Sequence, residues 1–147
     1  MSAIYERGSF RPRDSIGQLV GDMRKAIIGA VERELAALDI SAAQIGVVVY
    51  LFEDGSATAS DLCKSMSYDP GAMTRLVDRL EKKKVLRRVR GPDSRRAVRL
   101  ELTPAGRALY PQIVEGLVRA FNGLLRGFSR TEVRQFESLA RRMLENA

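Results

Sequence analysis

Residues 69–99 constrain the fold more than any other stretch. They begin DPGAMTRLVDRLEKKK. Aspartate is a preferred helix N-cap, and proline suits the first helical position because the N–H it lacks needs no partner there. Met73, Leu76, Val77 and Leu80 recur at helical spacing and define an inward face. VLRRVRGPDSRRAVRL follows. It reads as two β-rich segments, residues 85–89 and 98–102, around the turn chemistry of Gly91, Pro92, Asp93 and Ser94. Between Lys82 and Arg99 nine residues are basic and only Asp93 is acidic, so the segment repels itself unless water, counterions or a polyanion neutralise it. A helix leading into a basic hairpin suits the grooves and phosphates of duplex DNA.

The flanks extend this pattern. Thr58 and Asp61 form a capping pattern for a short helix over residues 59–66, and Ser67-Tyr68 turns the chain into Asp69. Short helix, tight turn and longer helix make a helix-turn-helix. Upstream, residues 15–38 carry Ile16, Leu19, Met23, Ile27, Val31, Leu35 and Leu38 at three- and four-residue steps, with Asp14 or Ser15 as N-cap. Ser41 and Gln44 form a capping box for AAQIGVVVYLFED, which is apolar nearly all round and so expected to be central. Gly55 ends it, and residues 56–58 read as a short extended link. Downstream, Thr103 caps a helix beginning at Pro104, and Ser129 with Glu132 opens a last one bearing Val133, Phe136, Leu139, Met143 and Leu144.

The expected fold is therefore mainly α. A winged helix-turn-helix domain occupies residues 39–103, and residues 1–14 form a mobile tail. The apolar stripes of 15–38 and 104–147 exceed what a small winged helix can cover. These helices are expected to pair between two subunits as a dimerisation domain.

Composition narrows the chemistry. The chain has 147 residues, which fits one domain with an oligomerisation element, and its formal net charge of +7 favours an acidic partner. Histidine is absent and Cys63 is the lone cysteine, so an internal disulfide and Cys/His zinc sites are excluded, and a reducing, cytoplasmic compartment fits. Cys63 beside Leu62 and Met66 reads as a small core residue rather than a redox sensor. The N-terminus has no signal-peptide core, and the longest apolar run, residues 45–52, is too short for a membrane span. There is no GxSxG and no phosphate loop. Glu53-Asp54 reads as a solvated helix end. No catalytic residue, metal or cofactor is expected.

The candidate site follows from the helix and hairpin. Ser67, Gly71, Thr74 and Arg75 are the expected major-groove reading face, with Arg79 beside them. Arginine can bind guanine in a bidentate way, threonine offers a methyl to thymine, and Gly71 permits close backbone approach. Arg95 and Arg96 at the hairpin tip suit a narrow minor groove. Lys82, Arg88 and Arg90 are expected phosphate contacts. Alternation sets Arg88 and Arg90 on one side of the strand and Arg87 on the other, and some of the three are expected to pair with Glu101 or other acids.

The order of elements, TRLVDRLEKKKVLRRV, the turn GPDSRRA and the following LTPAG resemble the MarR family of winged-helix transcriptional regulators. The resemblance spans residues 15 to 147. It implies a homodimer that inserts a recognition helix and a wing into a palindromic operator. It also implies repression relieved by a small aromatic or phenolic effector, and it makes Arg96 the motif arginine of the wing. An effector pocket would lie among the first, second and fifth helices, with Met23, Val49 and Tyr68 as candidate contacts. Two positions depart from the family pattern. The wing acid is replaced by Ser94, with Asp93 available one residue earlier. Lys84 stands where relatives carry the glycine that ends the recognition helix, implying a different helix end. Rival readings are a winged helix that docks RNA or an acidic protein, and a DNA-organising protein without an effector.

Overall fold

The computed structural model of the chain describes residues 3–91 and 98–147. Six α-helices and a small sheet follow in the order α1 (Ile16–Glu34), α2 (Ala42–Asp54), β1 (Ala57–Thr58), α3 (Ala59–Met66), α4 (Pro70–Lys82), β2 (Leu86–Val89), β3 (Arg99–Leu102), α5 (Pro104–Leu124) and α6 (Arg130–Glu145). The helix starts are those the caps announce. Ser15, Ser41, Thr58, Thr103 and Ser129 each accept a hydrogen bond from a first-turn N–H, and three of them complete reciprocal capping boxes.

Four expectations need correction. The first helix does not run to residue 38. It stops at Glu34, a 3-10 turn covers Ala36–Leu38, and Asp39 adopts a left-handed conformation at φ +50°. The cause is packing. Leu35 and Ile40 are both buried, and the chain must turn between them to enter α2. The β2–β3 hairpin forms as expected, but the sheet has one strand more. The link before α3 pairs Ala57 with Leu100 and Thr58 with Arg99, giving a three-stranded antiparallel sheet ordered β1-β3-β2. Ala57 is buried, and pairing with β3 supplies its backbone with hydrogen bonds. Third, the segment before α1 is exposed but has local structure: Pro12–Asp14 forms a 3-10 turn, and the Tyr5 and Phe10 rings meet edge to face at 5.1 Å. Fourth, the helix end at Lys84 is of the glycine type after all, as set out below.

The core lies where α2, α3, α4 and the sheet converge. Val47, Val48, Leu51, Leu62, Met73 and Leu80 are fully shielded from solvent. Helix α5 lies along α1, and Ile113 and Ala120 close the core from that side. The two helices come close because Gly116 has no side chain. A Cβ there would lie 2.1 Å from Leu35 Cδ2. Helix α6 buries none of its residues.

The LTPAG stretch is a fastening. The Thr103 hydroxyl donates to the carbonyls of Lys84 and Val85 and accepts from the Gly106 N–H at 3.0 Å. The Thr103 N–H donates to the Val85 carbonyl as well. A Cβ on Gly106 would sit 2.0 Å from the Val85 oxygen, so only glycine fits. The start of α5 is thereby locked to the end of α4.

Candidate nucleic-acid interface

Helix α4 carries the expected reading residues. Asp69 caps it, its two carboxylate oxygens accepting from the Gly71 and Ala72 N–H groups at 3.0 and 2.9 Å. Those bonds hold its pKa below the usual carboxylate range, with Arg75 adding a smaller pull in the same direction. The first-turn N–H groups at this end, which would otherwise attract phosphate, are thus already occupied. Met73, Leu76, Val77 and Leu80 point into the core, as the spacing predicts.

Ser67 is exposed in the turn between α3 and α4, in the left-handed region at φ +52°. Gly71, Thr74, Arg75 and Arg79 are exposed on the helix. A Cβ at Gly71 would meet nothing closer than 3.4 Å, so the fold itself does not require glycine there. The Thr74 hydroxyl donates to the Pro70 carbonyl at 2.9 Å, which fixes the side chain and commits its proton to the helix. Among the described residues Arg75, Arg79 and Lys82 form no ion pair with a carboxylate.

The helix ends on a strained residue. Lys84 has φ +60°, its N–H donates to the Glu81 carbonyl at 2.9 Å, and the Val85 N–H donates to that of Leu80 at 2.9 Å. This is the hydrogen-bond pattern that glycine usually makes at a helix end, here adopted by lysine.

On the wing strand the arginines divide. Arg87 stands opposite Glu101 and pairs with it at 3.4 Å. Arg88, expected at a phosphate, instead turns to the recognition helix. One guanidinium nitrogen lies 2.6 Å from Asp78 and the other 2.5 Å from Glu81. These carboxylates hold its pKa above the usual arginine value. Arg90 is exposed just beyond β2. Arg95 and Arg96, with Asp93 and Ser94, lie outside the described residues. Spacing along the sequence offers Arg79 as a nearby partner for Asp78 and Glu81. The signal it misses is the strand register, which brings Arg88 alongside α4.

A cleft of about 830 Å³ opens between α1 and the inner flank of α4. Met23 and Ile27 line one wall, Tyr68, Ala72 and Leu76 the other, and Arg24, Arg75 and Arg79 reach its rim. Met23 and Tyr68 are thus brought together, whereas Val49 lies in a separate depression with Tyr110 and Phe121. Cys63 is half-buried against the core. Glu53 accepts a hydrogen bond from the Tyr110 hydroxyl at 3.1 Å, tying α2 to α5. Among the described residues no acidic, histidine or cysteine cluster could hold a metal ion, and no helix is long and apolar enough to cross a membrane.

A helix-turn-helix joined to a basic β-wing defines a winged-helix nucleic-acid-binding protein. The MarR family matches residues 40–98. Over 97 residues the chain is 34% identical to the multiple antibiotic resistance protein MarR of Salmonella typhimurium, covering 66% of this chain and 67% of that one. It is 31% identical over 77 residues to the transcriptional repressor MdtR of Bacillus subtilis, covering 52% and 50% of the two chains. A cysteine-to-serine mutant of Escherichia coli MarR complexed with operator DNA superimposes with TM-score 0.81 at 29% identity, over 88% of this chain and 93% of that one. The chain belongs to the MarR family of transcriptional regulators.

Proposed function

We propose that the protein is a homodimeric repressor that reads a palindromic operator and releases it when a small aromatic acid or phenol binds. One observation carries the DNA-reading half. Gly71, Thr74, Arg75 and Arg79 share the exposed side of a helix whose other side is wholly core, and the wing strands stand beside it. Arg75 is the residue assigned to a guanine, Thr74 with its fixed methyl to a thymine, and Gly71 to close backbone approach. Ser67, Arg79 and Lys82 border them. Arg90 is assigned to phosphate, and Arg95 and Arg96 to the minor groove. The structure of MarR on operator DNA and the name of the repressor MdtR support this reading.

Residues 15–38 and 104–147 supply the dimerisation surface, around the winged domain at 39–103. Leu19, Val20, Val118, Phe136, Leu139 and Leu144 are exposed on these helices, and a second copy is the partner that removes them from water. Two recognition helices then face half-sites ~34 Å apart. The effector belongs in the cleft beside α4, where Tyr68 and Met23 offer an apolar wall and Arg75 and Arg79 a cationic rim.

A mobility-shift assay with the upstream intergenic DNA tests the proposal. Specific binding is expected, falling steeply with salt and lost in Arg75→Ala. An effector found by thermal-shift screening of aromatic acids is expected to release the duplex. Binding that ignores both the sequence of the duplex and the Arg75 substitution refutes it.

A further inference from the structure

Arg88 has a geometry that a phosphate ligand does not need. Asp78 follows Gly71 and Thr74 along the exposed stripe of α4, and Glu81 follows Asp78 one turn later. Both carboxylates therefore lie on or beside the side of the helix assigned to DNA. Uncompensated, they would repel the phosphates that Arg75, Arg79 and Lys82 attract. The β2 register places Arg88 opposite Leu100, at a fixed height alongside α4. From there one guanidinium nitrogen bonds Asp78 at 2.6 Å and the other bonds Glu81 at 2.5 Å. Asp78 keeps 58% of its side-chain surface exposed, Glu81 41% and Arg88 36%, so all three remain within reach of solvent. Exposed ion pairs contribute little to folding stability. Their electrostatic effect matters most when a polyanion arrives.

We propose that Arg88 masks the charge of the recognition helix: it engages Asp78 and Glu81 together, lets the reading stripe approach DNA, and contacts no phosphate itself. It is a positioning residue for operator binding, acting through the two acids. The inference rests on the proposed DNA-reading role of α4.

Charge-neutral variants separate a mask from a ligand. Operator affinity is measured by fluorescence anisotropy on a duplex recovered from a random library by the native protein. Four proteins are compared: native, Arg88→Gln, Asp78→Asn/Glu81→Gln, and the triple variant carrying all three changes. Thermal melts of each confirm folding. Arg88→Gln is expected to weaken binding about tenfold or more, since it removes a cation and bares two anions. The triple variant is expected to recover to within about threefold of the native protein, because nothing is left to mask. The double variant is expected to bind at least as tightly as the native protein. A triple variant as weak as Arg88→Gln overturns the proposal and makes Arg88 a phosphate ligand. If Arg88→Gln does not fold, the native and triple proteins still decide, near-equal affinity supporting the mask and a tenfold deficit sinking it. A native protein that selects no duplex overturns the DNA-reading role as well, whereas failed recovery alone overturns only the mask.

Discussion

The winged core and the terminal helices use the same apolar residues to opposite ends. In the core Leu62, Met73 and Leu80 retain no exposed surface, and the elements around them cap and pair one another. On the terminal helices Leu139 keeps 60% of its surface exposed and Leu144 74%, though α6 is as clearly amphipathic as α4. Amphipathicity alone does not say what a stripe faces. The core stripes face other parts of the same chain. Those of α1, α5 and α6 outnumber the surfaces one chain offers, which is why a second copy is proposed to complete this part of the fold.

The largest expected effect tests that division directly. Phe136→Glu/Leu139→Glu places charge on the α6 stripe in both subunits, so four side chains leave the proposed interface. At ~1.5 kcal/mol or more for each buried aromatic or leucine, association weakens by on the order of 6 kcal/mol. Sedimentation should then show a monomer at micromolar concentration, with the helical signal retained and operator affinity lost. A dimer that survives both charges would place the interface elsewhere. The next effect belongs to the core. Gly106→Ala drives a Cβ into the Val85 carbonyl, a backbone atom that cannot swing aside. A loss of ~3 kcal/mol or more is expected, read as a drop of about 10 °C in Tm. Thr103→Val keeps the shape but removes a helix cap and the hydroxyl bonds to the end of α4. About 2 kcal/mol should be lost in denaturant titration. Should these two core variants lower operator affinity without lowering stability, the Thr103–Gly106 fastening would be a DNA-facing device and not a structural one.

The local instructions of this chain were legible because they act within a few residues. Every α-helix start was marked by a Ser, Thr or Asp cap, and the proline after Asp69 and Thr103 fixed two of them. The inward face of α4 followed from spacing alone. What stayed hidden depends on distant neighbours. The stop at Glu34 comes from the burial of both Leu35 and Ile40, and Leu35 fits against Gly116, about eighty residues on in the chain. The third strand arises because the sheet edge accepts Ala57 and Thr58, two residues too few to show a period. The site divides the same way. The exposure of Gly71, Thr74 and Arg75 was readable from the helix, whereas the pairing of Arg88 with Asp78 and Glu81 needed the register of β2 against β3 and its place beside α4.

Lys84 gives the smallest effect and the sharpest test of how far a family pattern can be read as physics. The chain replaces the expected glycine with lysine and keeps the glycine conformation, at φ +60°. The backbone is held from both sides, since the Lys84 N–H donates to the Glu81 carbonyl and its own carbonyl accepts from the Thr103 hydroxyl. A left-handed residue with a Cβ costs ~1 kcal/mol or more. Glycine removes that strain but gains freedom in the unfolded chain, which offsets part of the benefit. Lys84→Gly is therefore expected to stabilise the protein by ~0.5 kcal/mol, a rise of one or two degrees in Tm. The lysine side chain is exposed, so nothing packed is lost. A fall in Tm of the same size would mean that Lys84 does not need the left-handed turn, and the fastening of α4 to α5 would have to be held by Thr103 and Gly106 alone.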